Sequence, residues 1–423
     1  MNVFELTGLL LTLTALFAWL NRRLIGLPST VGVMLLALVF SLLALAAVPF
    51  GANVAGPAGD LVSAVAFNRT LLDGMLGALL FAGAMQVEAR KLFSERLVVG
   101  LLATLGLGLS TLIVGTLTWG VFIALDLAIA PIYAYLFGAI ISPTDPVAVL
   151  AILRRAGVPK TLEIQFTGES LFNDAIAIVL FVALSEVADP NVAASLEPGY
   201  LIQLFSAEAL GGIGFGLVVG LAGFVLLRGI DDYKTEVLIT LAMVVGGYAM
   251  ATALHVSGPL AIITAGLLVG HHGRDKAMSE HTRERVDTFW ELIDEILNAV
   301  LFVLIGLEVL HISFSTHAVI AGLAAIPIIL VARFIAVSVP ITILRTRRSF
   351  TPHAIKILTW GGLRGGISVA LALSLPDSDA RNLIVNMTYI AVIFSIGVQG
   401  LTISRVARLA RTDDAAATSE KTT

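Results

Sequence analysis

The sequence predicts an all-α integral membrane protein of thirteen transmembrane helices, arranged as two inverted six-helix repeats with crossed broken helices. Three observations predict it. The 423-residue chain is 57% hydrophobic and 13% charged, with a mean hydropathy of +0.95, whereas a soluble chain carries about 25% charged residues. Lys and Arg collect in alternate loops between the apolar runs. Two of those runs, at matching places in the two halves, are interrupted by Pro and Gly.

Apolar runs able to cross the hydrocarbon, at about 20 residues each, fall near 4–21, 28–50, 70–88, 97–124, 131–153, 164–185, 201–227, 235–254, 257–271, 288–311, 317–344, 352–375 and 383–404. The start Met1-Asn2-Val3-Phe4-Glu5 has no basic region ahead of its first run, so it reads as a retained span and not as a signal peptide. Gly258-Pro259 separates the eighth span from the ninth. Charge checks the count. One side takes Arg22 and Arg23; Arg90, Lys91 and Arg96; Arg154, Arg155 and Lys160; Arg228 and Lys234; Arg274, Lys276, Arg283 and Arg285; Arg345, Arg347, Arg348 and Lys356; and Arg405, Arg408, Arg411 and Lys421. The other side has only Arg69 and Arg381, and of the 26 basic residues Arg333 and Arg364 remain inside spans. By the positive-inside rule the N-terminus is outside and the C-terminus cytoplasmic.

The transmembrane unit is expected over 1–411, with repeats at about 4–187 and 235–404 and a polar, disordered tail over 412–423. The largest loop, about 272–287, is expected to be a charged surface helix, with His271 and His272 as a solvated pair at its membrane edge. No Cys is present, which excludes disulfides and thiolate metal sites. The net charge of −4 has no long block of one sign and gives no reason to expect nucleic acid.

The fifth span carries Ser142-Pro143-Thr144-Asp145-Pro146, and the twelfth carries Trp360-Gly361-Gly362-Leu363-Arg364-Gly365-Gly366. Pro removes a backbone donor and Gly weakens a helix, so both spans should unwind at mid-depth. Such a pair marks the binding site of many transporters. Asp145 can compensate exposed N-terminal helix ends and Arg364 the C-terminal ones; direct contact with a transported ion is the competing role.

The sixth span opens with Gly168-Glu169-Ser170-Leu171-Phe172-Asn173-Asp174. An intramembrane carboxylate is a functional candidate by default. Arg333, a permanent cation, needs a partner there, and Glu169 is the economical one. That leaves Asp174 without a fixed counter-charge. A carboxylate so placed is neutralised by a proton or by a metal cation, and mutual exclusion between them is an exchange mechanism. Ser170, Thr144 and the unwound carbonyls around 143–145 offer hard oxygen ligands suited to a small alkali cation. Asn173 reads as a hydrogen-bonding strut. The plainer reading, polar glue between helices, does not call for five charged residues near the midplane. Glycines 211, 212, 214, 216 and 220 form a packing face with no strand or basic residue to make a phosphate loop. Glu308 reads as a solvated vestibule carboxylate, and Glu88 as either a funnel charge or a solvated neighbour of Arg90 and Lys91.

Thr144-Asp145-Pro146-Val147-Ala148-Val149-Leu150, the segment 168–174, Phe302-Val303-Leu304-Ile305-Gly306-Leu307, Arg333 and Gly361-Gly362-Leu363-Arg364-Gly365 together resemble the monovalent cation:proton antiporter-1 family, the NhaP-like bacterial sodium/proton antiporters. The resemblance implies the sodium/proton antiporter fold, in a homodimer of thirteen-span protomers, each with a dimerisation domain and a mobile core moving like an elevator. It implies Asp174 as the ion- and proton-binding carboxylate, with Thr144, Ser170 and backbone near Asp145 as auxiliary ligands. Asn173 stands where electrogenic relatives have a second Asp, and Arg333 where they have Lys, which implies electroneutral one-for-one exchange. The expected function is therefore exchange of Na+ or Li+ for H+ across a bacterial cytoplasmic (inner) membrane, in contact with lipid and without a cofactor. Potassium/proton exchange is the alternative ion choice and a cation channel the alternative of another class. No HExxH, Gly-x-Ser-x-Gly elbow or basic substrate pocket suggests an enzyme.

Overall fold

The computed structural model describes residues 3–47, 74–188, 199–273, 277–310 and 315–408. Arg69, the Arg274–Lys276 stretch, the His272 side chain and the tail 412–423 lie outside what is described. The chain is helical, with no strand among the described residues. Its elements are α1 (Val3–Leu20), α2 (Ser29–Ala47), α3 (Leu76–Gln86), α4 (Ala89–Ser94), α5 (Arg96–Ala124), α6 (Pro131–Ile141), α7 (Val147–Ala156), α8 (Lys160–Ala188), α9 (Tyr200–Arg228), α10 (Tyr233–Ala253), α11 (Gly258–Leu268), α12 (Glu280–Glu308), α13 (Thr316–Leu344), α14 (Ala354–Trp360), α15 (Gly366–Leu373) and α16 (Asp379–Phe394). Eight helical stretches among the described residues are long and apolar enough to cross a membrane, and α3, α6 and α11 are shorter apolar helices.

Local chemistry fixes the boundaries that matter for the site. Pro131 opens α6 at its first turn, where its missing N–H is no loss. Ser142 ends the helix, its Oγ 2.7 Å from the Gly138 carbonyl, and Pro143 cannot continue it. α7 restarts after Pro146 and stops at Gly157, whose φ of +69° a residue with a Cβ adopts only at a cost. Ser257 caps α11 by accepting from the Leu260 N–H at 3.3 Å, which makes the break before Pro259 a true helix start.

One face of the bundle packs α9 and α10 against α11 and α3; another packs α5 against α6 and α13, with α16 on α13. The small-residue stripe of α9 does what a stripe of that kind does between apolar helices: a Cβ on Gly216 would lie 2.8 Å from the Ala261 Cα of α11. Two long helices, α8 and α12, carry polar residues through these layers.

Two expectations are corrected. The charged stretch before the tenth span is not a separate surface helix, because α12 runs unbroken from Glu280 to Glu308. Ser279 caps its start, accepting from the Thr282 N–H at 3.3 Å, and no Pro or Gly interrupts it before mid-membrane. Glu308 is not solvated, since it is 8% exposed. The reason is α2, which lies close over the last turn of α12, with the Ser41 hydroxyl donating to the Gly306 carbonyl at 2.8 Å.

Candidate functional site

The two broken segments meet each other. The Asp145 N–H donates to the Leu363 carbonyl at 2.8 Å, tying the 142–146 break to the 361–365 break. Arg364, buried to 2% exposure, donates to the Ser142 carbonyl at 2.5 Å and to the Pro143 carbonyl at 2.9 Å. These are the free carbonyls left where α6 stops, so the guanidinium neutralises the negative end of that half-helix. Asp145 answers it from the other side. Its carboxylate lies over Gly365 at the start of α15, so close that a Cβ there would sit 2.9 Å from the Asp145 Cγ. Helix-end compensation by both charges is thus laid out in the geometry, and Asp145 also lines the cavity described below.

Glu169, Ser170, Asn173 and Asp174 of α8 are all buried. Arg333 makes a two-pronged pair with Glu169: NH1 to Oε1, and NH2 to Oε2 at 3.1 Å. The same guanidinium donates to the Leu358 carbonyl through Nε at 3.3 Å and NH2 at 3.1 Å. It therefore also stabilises the C-terminal end of α14, a second task that sequence alone did not suggest. Ser170 Oγ donates to the Thr144 carbonyl. Asn173 Nδ2 donates to Thr144 Oγ1 at 3.0 Å. Ser170 and Asn173, three residues apart on the helix, therefore grip Thr144 together, whereas Glu169 faces Arg333.

Asp174 differs from all of these. It forms no ion pair or hydrogen bond with any described residue, and it lines a cavity of about 520 Å³ together with Thr144, Asp145 and Ser368. The cavity mouth carries Gln86, Glu88, Arg154, Lys160 and Glu163. At that mouth Glu88 is exposed and pairs with Lys91 at 2.5 Å. That hydrogen bond holds its carboxyl below the usual carboxylate range. So placed, Asp174 is reachable from one side and able to take either a proton or a small cation.

The far wall holds two residues that the sequence reading missed. Asp294 and Asn298 line the cavity, with Asn298 Nδ2 donating to Asp294 Oδ1 at 3.0 Å. Their signal was present: Asp294, Asn298 and Leu301 fall at i, i+4 and i+7, one helical face. Three carboxylates crowd the start of that span, Glu291, Asp294 and Glu295, and it is the i, i+4, i+7 spacing that singles out Asp294.

Comparison with known proteins decides the family. The model of the transmembrane sodium/hydrogen exchanger family matches residues 11–409. The chain belongs to the sodium/hydrogen exchanger family. It is 46% identical over 411 residues to the Na(+)/H(+) antiporter NhaP of Pseudomonas aeruginosa, covering 96% of each chain. It is 34% identical to the Na(+)/H(+) antiporter NhaH of Halobacillus aidingensis, covering 91% of this chain and 92% of that one. In fold it is similar to the sodium proton antiporter MjNhaP1 of Methanocaldococcus jannaschii, with a TM-score of 0.74 at 20% identity over 96% of this chain and 97% of that chain. The family is one of transporters.

Proposed function

We propose that this exchanger-family chain is a secondary antiporter that swaps Na+ or Li+ for H+, one for one, by alternating access to Asp174. The observation that carries the reading is Asp174 itself: a buried carboxylate with no ion pair or hydrogen bond to any described residue, lining an open cavity. A proton and a cation compete for it, because binding either one neutralises the same charge. Thr144, Ser170 and the backbone near Asp145 are auxiliary ligands, and Asn173 holds the unwound segment in place. Glu169, Arg333 and Arg364 are structural charges, each with its partners inside the bundle. Since Arg333 stays protonated, it offers no second proton to the cycle, which supports an electroneutral exchange.

Thirteen spans in two inverted repeats, a homodimer with a mobile core in each protomer, and a bacterial inner-membrane location with the N-terminus outside complete the reading. The mouth of the cavity carries the basic residues assigned to the cytoplasm, so this conformation faces inward.

Proteoliposomes holding an acid-inside gradient, reported by a fluorescent dye, test it. Dye recovery on adding sodium or lithium outside, absent in Asp174→Asn and unchanged when the membrane potential is clamped, is the expected result. Recovery with potassium alone would reassign the ion; no cation-driven proton movement would overturn the exchanger reading.

A further inference from the structure

Ten residues beyond Asn298, roughly 15 Å further along α12 at 1.5 Å per residue, the chain buries Glu308, away from the cavity mouth. Its Oε2 finds no hydrogen-bond partner among the described residues. It lies within electrostatic range of Tyr389 on α16, whose ring is fully buried and whose hydroxyl also has no partner there. Asn386, one turn earlier on the same helix and 4% exposed, has an unpartnered Oδ1. Arg381 is within range of Glu308. Its guanidinium is taken, however, by Asp377 at 2.8 Å and the Leu373 carbonyl at 3.3 Å. Buried polar groups in native proteins are almost always satisfied, so three such oxygens, one on α12 and two within a turn of each other on α16, ask for a reason.

The reason lies in the closed side of an alternating-access cycle. On the exchanger reading, the half of the bundle opposite the cavity must open in its turn. We infer that Glu308, with the Tyr389 hydroxyl and the Asn386 amide oxygen, is an outer cation-capture site that is dry in this conformation and wetted in the outward-open one. A carboxylate, a phenol and an amide carbonyl are hard oxygen donors, the chemistry that takes a partly hydrated alkali cation. The site draws the cation from outside, hands it on to Asp174, and collapses when the core returns. The packing of α2 over Gly306 and the seating of α16 on α13 are what must loosen for this to happen.

The inference rests on the exchange reading, and the test separates the two. Full-length protein is reconstituted with one defined orientation, and sodium-driven proton movement is measured with sodium presented to each face in turn. Glu308→Gln and Tyr389→Phe should each raise the outer-face KM for sodium severalfold and leave the inner-face KM at the parent value. Equal changes on both faces, or none on either, would overturn the proposal while the parent's exchange stood. A parent that moves no protons would bring down the exchange reading instead. Because the chain has no Cys, Glu308→Cys gives a second readout without background. It should react with a membrane-impermeant thiol reagent applied outside, faster under the gradient that favours the outward-open state. Complete resistance under every gradient would show that this half never opens at Glu308 and would sink the idea, whatever the transport kinetics of the variants.

Discussion

Asp174 and Glu169 sit five residues apart on one helix, yet their mutants should behave in opposite ways. Asp174 lines a cavity and has no ion pair or hydrogen bond to any described residue, so Asp174→Asn removes the titrating group and should abolish exchange while leaving the thermal melt close to the parent. Glu169 is 1% exposed and paired with Arg333 through two contacts. Glu169→Gln leaves a buried guanidinium without its counter-charge, and breaking a buried pair in this way costs about 3–5 kcal/mol. A clearly lowered melting temperature is expected, and a melt equal to the parent's would show that the pair holds nothing together. The pairing could be read from charge balance alone, since an intramembrane Arg must find an acid. That Arg333 also caps α14 could not, because a backbone carbonyl 25 residues further along the chain leaves no mark in composition. Asp294 was missed for a simpler reason: among Glu291, Asp294 and Glu295, nothing in the residue types says which one turns inward.

At the scale of elements, the breaks were legible because Pro and Gly act on the backbone directly. Pro143 and Pro146 bracket the first unwound stretch, and Gly361, Gly362, Gly365 and Gly366 bracket the second. What the residues did not reveal is how closely the two stretches approach. Gly365 is needed for that approach and not for its backbone angle, since the Asp145 carboxylate occupies the space a Cβ would take. Gly365→Ala should therefore displace Asp145 from the start of α15, at a stability cost of about 1–3 kcal/mol for overpacking. It should also slow exchange, measured by the dye assay at saturating sodium, because the moved segment carries Thr144. A Gly365→Ala variant with parental stability and rate would mean that the crossing is looser than drawn. The misjudged start of α12 has a physical cause too. Hydropathy ends a span where charge begins, but a helix needs only caps and propensity to run on into water, and Ser279 with its acidic first turn supplies them.

For the whole molecule, two of the basic residues that the loop alternation places on one side, Arg154 and Lys160, line the same cavity. Arg154 and Lys160 stand there with Glu88 and Glu163, so the mouth is mixed in sign and not simply a negative funnel. Glu88 nonetheless has a definite electrostatic role. Its bond to Lys91 keeps the carboxyl below its ordinary value, so it is ionised through neutral and mildly acidic pH and loses its charge only as pH falls through that lowered value. An exposed charge of this kind acts on the arriving cation over about one Debye length, roughly 8 Å at physiological salt, and does not touch Asp174. Removing it should change capture but not the exchange step. Glu88→Gln is expected to raise the inner-face KM for sodium at low ionic strength and to leave the maximal rate alone. The difference from the parent should shrink as inert salt is added. It should also hold steady between pH 8 and pH 6, since no protonation of Glu88 intervenes in that range. A KM effect that survives high salt would instead mean that Glu88 binds the ion at close range, and would move the entrance of the site from the cavity floor to its rim.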